Sequence, residues 1–156
     1  MIPFQAPEVY GRSILENSSF LASSVNPDEN VHGRGFVARL SGSTTEVVSM
    51  WISMFLGKGG FAVKDGALTF SLEPKLAGWL FDENGKAEFT LMSKCKVAYN
   101  NPLRKNTYGA DGVAVTKLHV FFSDGKETVV EGNTLTGTLA EELRNGAIVR
   151  IVADCQ

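Results

Sequence analysis

The chain is short of cysteine, histidine and tryptophan, with two of each in 156 residues. Cys95 and Cys155 lie far apart and form no C-x-x-C pair, so the expected state is two reduced thiols rather than a disulfide framework. With His32 and His119 as the only imidazoles, and no cysteine cluster beside them, a metal site is not expected. An excess charge of one sign is missing too. Lys and Arg number 15 against 17 Asp and Glu, for a formal net charge of −2. No basic field exists to hold a nucleic-acid backbone. No apolar run approaches a membrane span. Met1-Ile2-Pro3-Phe4-Gln5 has neither the charged nor the apolar region of a secretory signal. The resulting expectation is a cytoplasmic protein with no membrane or nucleic-acid partner. No G-x-S-x-G elbow, P-loop or dinucleotide fingerprint occurs.

What is present describes a folded chain. Apolar residues make up 44% and charged residues 21%, near the average for globular proteins. Residues 1 to about 35 show no clean period and read as irregular structure that needs a partner surface. Phe36-Val37-Ala38-Arg39-Leu40 reads as an extended piece. A tight Ser41-Gly42 turn follows, then a helix opened by the capping box Ser43-Thr44-Thr45-Glu46, ending at Leu56 and stopped by Gly57. Val47, Val48, Met50, Trp51, Ile52, Met54, Phe55 and Leu56 cover nearly the whole circumference of that helix. No charge follows Glu46, so burial on most sides is expected.

From residue 61 the period changes to two. Asp65-Gly66 and Asp124-Gly125 mark hairpins, and Asn84-Gly85 marks another turn. Strands are expected around 61–64, 67–72, 88–91, 95–99, 113–122, 127–130 and 147–153. A second capping box at Thr138-Leu139-Ala140-Glu141 opens a short helix closed by Asn145-Gly146. The expected fold is mainly β, an antiparallel jelly-roll-like β-sandwich with one largely buried N-terminal helix and a short second helix. Two parts are expected: 1–60, the irregular segment plus the buried helix, and 61–156, the sandwich.

Candidate chemistry is sparse. Ser41, Gly42 and Ser43 bring hydroxyls and flexible backbone to a helix N-terminus, where unpartnered N–H groups and the dipole favour a phosphate or sulfate; equally, they serve as caps and nothing more. His32, in Asn30-Val31-His32-Gly33-Arg34-Gly35, could face the same anion with Arg34 and Arg39. His119 lies in a strand at a solvent-facing or pairing position. Glu8, Glu16, Asp28, Glu29 and Glu46 are scattered and form no acid pair of the kind glycosyl chemistry requires. Tyr10, Trp79, Tyr99 and Tyr108 are candidates for stacking on sugar rings, with core packing as the plainer role. Trp51 reads as core.

Tyr10-Gly11-Arg12-Ser13-Ile14-Leu15-Glu16-Asn17-Ser18-Ser19-Phe20, Ser23-Ser24-Val25-Asn26-Pro27-Asp28 and the run from His32 through Thr44 resemble a signature of glycoside hydrolase family 94. That family includes the cellobiose phosphorylases, and the wording is nearest to the 1,2-β-oligoglucan phosphorylase branch. Pro74, Gly78-Trp79-Leu80-Phe81 and Tyr99-Asn100-Asn101-Pro102 continue the resemblance. It implies a four-part architecture of β-sandwich, linker, (α/α)6 barrel and C-terminal jelly-roll-like domain, of which this chain matches the last barrel segment and the sheet domain. It further implies reversible, inverting phosphorolysis of a β-linked glucan oligosaccharide, with inorganic phosphate as co-substrate and no other cofactor. The general-acid Asp of the family lies upstream of the matched region, so no residue here is expected to be catalytic. Ser41 and Gly42 match a hydroxyl-plus-glycine pair of the phosphate subsite, and Ser43 and His32 are added as candidates. Ser23-Ser24 fall nearer than His32 to the place of the family's histidine. The expected entity is therefore a C-terminal fragment or split part of such an enzyme, with a missing N-terminal barrel part and a tendency to form homodimers through the uncovered helix. The alternative is a stand-alone carbohydrate-binding or assembly sandwich.

Overall fold

The computed structural model describes the backbone of residues 20–21, 24–32, 35–36 and 41–156, and side chains over 24–30, 32 and 45–156. The chain divides into two compact units, Met1–Ile52 and Ser53–Gln156. In the first unit, β1 (Phe20–Leu21) pairs antiparallel with β2 (Gly35–Phe36). The 3-10 turn Glu29–Val31 lies between them, with Asp28 as its N-cap. Helix α1 (Ser41–Leu56) spans the division. The stretches Tyr10–Ser19 and 37–40, including Arg39, and Arg34 lie outside the described residues.

α1 differs from expectation at both its start and its surface. Ser41 and Gly42 have helical backbone instead of forming a separate turn, so Ser43 is the third helical residue and not the N-cap. Val47 and Met54 are buried and Met50, Trp51, Phe55 and Leu56 half-buried, but Val48 and Ile52 are each 54% exposed, on a face shared with exposed Thr45, Ser49 and Ser53. Spacings of three and four place these five residues along one side of the helix. The helix thus has an exposed side where burial on most sides was expected.

The last turn of α1 belongs to the second unit, and every one of its terminal carbonyls finds a donor there. Gly57 N–H donates to Ser53 O (2.9 Å), Lys75 N–H to Met54 O (2.7 Å) and Glu73 N–H to Leu56 O (3.0 Å). The Tyr99 phenol donates to Phe55 O. These four carbonyls are the ones a helix leaves without intrahelical partners. Gly57 ends the helix at φ +75°, the left-handed region an L side chain resists, and a Cβ there would lie 2.0 Å from the Glu73 carbonyl oxygen. The Phe55 ring packs at 5.3 Å against Phe89, which stacks at 6.1 Å on Tyr99.

The remainder is mainly β and sandwich-like. A three-stranded sheet has the order β3 (Gly60–Lys64), β4 (Ala67–Ser71), β9 (Thr134–Thr136). A five-stranded sheet has the order β5 (Lys86–Leu91), β6 (Cys95–Asn100), β10 (Ile148–Cys155), β7 (Val115–Phe122), β8 (Glu127–Glu131). Asp65 and Gly66 take φ 51° and 78° in the expected β3–β4 hairpin. Helix α2 (Thr138–Asn145) is capped by Gly137 with no side-chain bond, so the expected capping box at Thr138 is not made; the helix begins one residue earlier than the box requires. Asn145-Gly146 closes α2 as expected.

One pairing departs from an all-antiparallel jelly roll: β10 runs parallel to β6 and antiparallel to β7, between them at the centre of the sheet. Its inward residues Ile151, Ala153 and Cys155 are almost fully buried, beside Val97 and Tyr99 of β6 and Leu118 and Val120 of β7. Both cysteines are free and buried. Tyr99, a sugar-stacking candidate in the sequence, is wholly buried.

The loop from Asn101 to Gly112 is fixed by its own polar groups. Thr107 Oγ1 donates to Pro74 O (2.8 Å) and accepts from Leu76 N–H (2.7 Å), while Asn106 Oδ1 accepts from Gly78 N–H (2.9 Å). A Cβ on Gly78 would lie 2.0 Å from Arg104 O, so glycine there permits the loop's closest approach. Pro74, Gly78 and Asn101 are each held by a residue of this loop, by Thr107, Asn106 and Lys105 in turn.

Candidate functional site

The phosphate candidates of the first unit are Ser41, Gly42, Ser43 and His32. Ser41, Gly42 and Ser43 supply the first turn of α1, and their side chains lie outside the described residues. His32 is half-buried and its Nε2 lies 2.7 Å from Asn26 O. A carbonyl only accepts, so Nε2 carries the proton and donates it within its own loop. That loop is self-bonded: Asp28 Oδ1 accepts from Asn30 N–H and from Asn30 Nδ2, both at 3.0 Å.

A second arrangement, not singled out by sequence, lies on the outer face of the five-stranded sheet. The registers place outward side chains in three rows across β5, β6, β10, β7 and β8. The first row is Lys86, Asn100, Asp154, Lys117, Glu131; the second is Glu88, Ala98, Val152, His119, Val129; the third is Thr90, Lys96, Arg150, Phe121, Glu127. Side chains from three rows join in one chain of contacts. Asn100 Nδ2 donates to Asp154 Oδ1 at 2.9 Å. Asp154 Oδ2 lies 3.2 Å from His119 Nε2, and His119 Nδ1 lies 3.5 Å from Glu127 Oε1. A neutral imidazole donates from one nitrogen, and a protonated ring from both. Lys117 pairs with Glu131 at 3.1 Å, and the Arg150 guanidinium lies 5.5 Å from the centre of the Phe121 ring.

This network ties β6, β10, β7 and β8 together and orients His119 between two carboxylates. Among the described residues no group of three or more His, Cys, Asp or Glu is placed to hold a metal ion. Both thiols are buried rather than on this exposed face. Burial pushes the Cys95 thiol up to about 11, and burial, with a smaller contribution from Asp154, pushes Cys155 up to about 12. Neither is a nucleophile at neutral pH. Burial, and to a lesser degree Cys155, likewise raises the Tyr99 phenol, which stays a hydrogen-bond donor.

Alternation within each strand was legible in the sequence, but the neighbour relations that assemble these rows were not. Asn100, His119, Glu127 and Asp154 come from four strands whose order no local signal encodes. Among the described residues no helix is long and apolar enough to cross a membrane. Comparison with protein-family models, with curated proteins and with solved structures finds no match.

Proposed function

We propose that this chain is the C-terminal part of an inverting β-glucan phosphorylase of the cellobiose or sophorose type, working in the cytoplasm with inorganic phosphate and a β-linked oligosaccharide as co-substrates. The observation that supports this most is the open side of α1. From Thr45 to Ser53 that side carries Val48 and Ile52, each 54% exposed, with no charged residue among Thr45, Val48, Ser49, Ile52 and Ser53 beside them. A solvated helix face normally carries charge, so this one suits burial against further protein. The resemblance of residues 10–44 and of Pro74, Gly78 and Asn101 to family 94 names the larger body.

On this reading the chain contributes Ser41 and Gly42, with Ser43 and His32, to a phosphate subsite, while the general acid resides in the missing barrel. Alone it lacks phosphorolysis. Mixed with a separately produced barrel part, it restores release of glucose 1-phosphate from sophorose- or cellobiose-type sugars. A mixture that forms a complex and stays inactive on both sugars contradicts the reading. Without the barrel, two copies cover each other's α1 in a symmetric dimer.

The stand-alone carbohydrate-binding reading has less support, because Tyr99 is buried and engaged with Phe55 O. Calorimetry with the same sugars at millimolar concentration separates the two, since only the binding module gives heat without the barrel.

A further inference from the structure

We propose that one end of the five-stranded sheet is a docking point for a short carboxylate-rich polypeptide segment. The observation is a cross-strand pair of like charge. Lys96 on β6 and Arg150 on β10 are directly opposed partners, and both are exposed on the outer face. Like charges so placed destabilise a sheet, and a carboxylate on a neighbouring strand commonly offsets them. None does here. The ion pairs formed on this face and its adjoining turn are Lys117–Glu131, His119–Asp154, His119–Glu127 and Lys126–Asp124; among the described residues none involves Lys96 or Arg150.

Two more cations border the pair. Lys94 ends the β5–β6 turn, and its side chain lies against Gly146 at the C-terminal end of α2: a Cβ on that glycine would be 3.3 Å from Lys94 Nζ. Arg144 sits in the last turn of the same helix. Both are exposed and without an ion pair among the described residues. The helix dipole partly offsets these two charges, whereas nothing comparable acts on Lys96 and Arg150. Two pairs of residues distant in sequence, Lys94 with Lys96 and Arg144 with Arg150, thus form a basic rim on a chain whose net charge is −2.

The geometry favours a peptide over other anions. The cations come from the β5–β6 turn, β6, β10 and α2 and spread along an open rim, so a single phosphate meets no convergent set of donors. A long nucleic-acid backbone would run past the rim and meet the repulsion of the net-acidic remainder, which a short segment avoids. An extended acidic segment meets several cations at once. Arg150, steadied by its stacking on Phe121, presents the planar fork suited to a carboxylate.

The test is fluorescence anisotropy of a short labelled Glu-rich peptide at low ionic strength, against the full chain and its Lys96→Glu, Arg150→Gln and Lys86→Glu variants. Lys96→Glu weakens binding by about tenfold while raising the melting temperature, because it turns the opposed pair into one of opposite charge. Arg150→Gln weakens binding less, and Lys86→Glu, at the other end of the sheet, leaves it unchanged. Equal weakening by Lys86→Glu overturns the proposal. So does tighter binding of a single-stranded oligonucleotide that Lys96→Glu abolishes, which makes the rim a nucleic-acid contact instead.

Discussion

At the scale of single residues, Tyr99 joins helix to sheet. Its ring is wholly buried and its phenol donates to Phe55 O. Tyr99→Phe removes the donor and leaves that carbonyl without it, a cost of about 1–2 kcal/mol in unfolding free energy by denaturant titration. An unchanged midpoint would mean that the bond contributes nothing. Gly57→Ala meets a positive φ and the Glu73 carbonyl together and destabilises by at least ~1 kcal/mol. The cysteines set a pH dependence. Their pKa values rise on folding from an ordinary 9.0 to about 11 and about 12, so the folded state holds their protons longer. Their contribution is present below pH 9 and is lost as pH rises through about 11 to 12. A Cys95→Ser, Cys155→Ser variant therefore loses less stability than the parent between neutral and strongly alkaline pH, read from melting temperatures. In the native parent both thiols react slowly with an aromatic disulfide reagent near pH 8.

At the scale of elements, local chemistry decided what the sequence could disclose. The Asp65-Gly66 hairpin was legible because both residue types tolerate the positive φ the turn requires. The β5–β6 turn was not, because Met92 and Ser93 take φ 50° and 58° without any such preference. The short β9 escaped notice, since three residues give no period; its place is fixed by long-range contacts such as Ser71 Oγ to Thr134 Oγ1 at 3.0 Å. The α2 capping box was misleading: Thr138 has the right side chain, but the backbone turns at Gly137. Thr138→Ala accordingly changes stability by less than the ~1 kcal/mol typical of a lost N-cap. A full loss of that size would restore the box. Of the candidate phosphate residues, the helical position of Ser41 and Gly42 and the His32–Asn26 contact add detail that a capping pattern alone could not supply.

At the scale of the whole molecule, the mainly β class followed from the number of short alternating runs. The central, parallel position of β10 did not, because no residue in it specifies which strand it joins. The helix poses the larger question. Its composition leaves no charged side, and the structure covers one side and leaves Val48 and Ile52 open. Under the proposed function further protein covers them, the barrel in the complete enzyme and a second copy in the isolated chain. The most direct test is the mass of the purified chain by multi-angle light scattering, with Val48→Lys and Ile52→Lys introduced together as the comparison. The prediction is a dimer for the parent chain and a folded monomer for the variant; a parent chain that stays monomeric at high concentration, with Val48 and Ile52 in water, contradicts it.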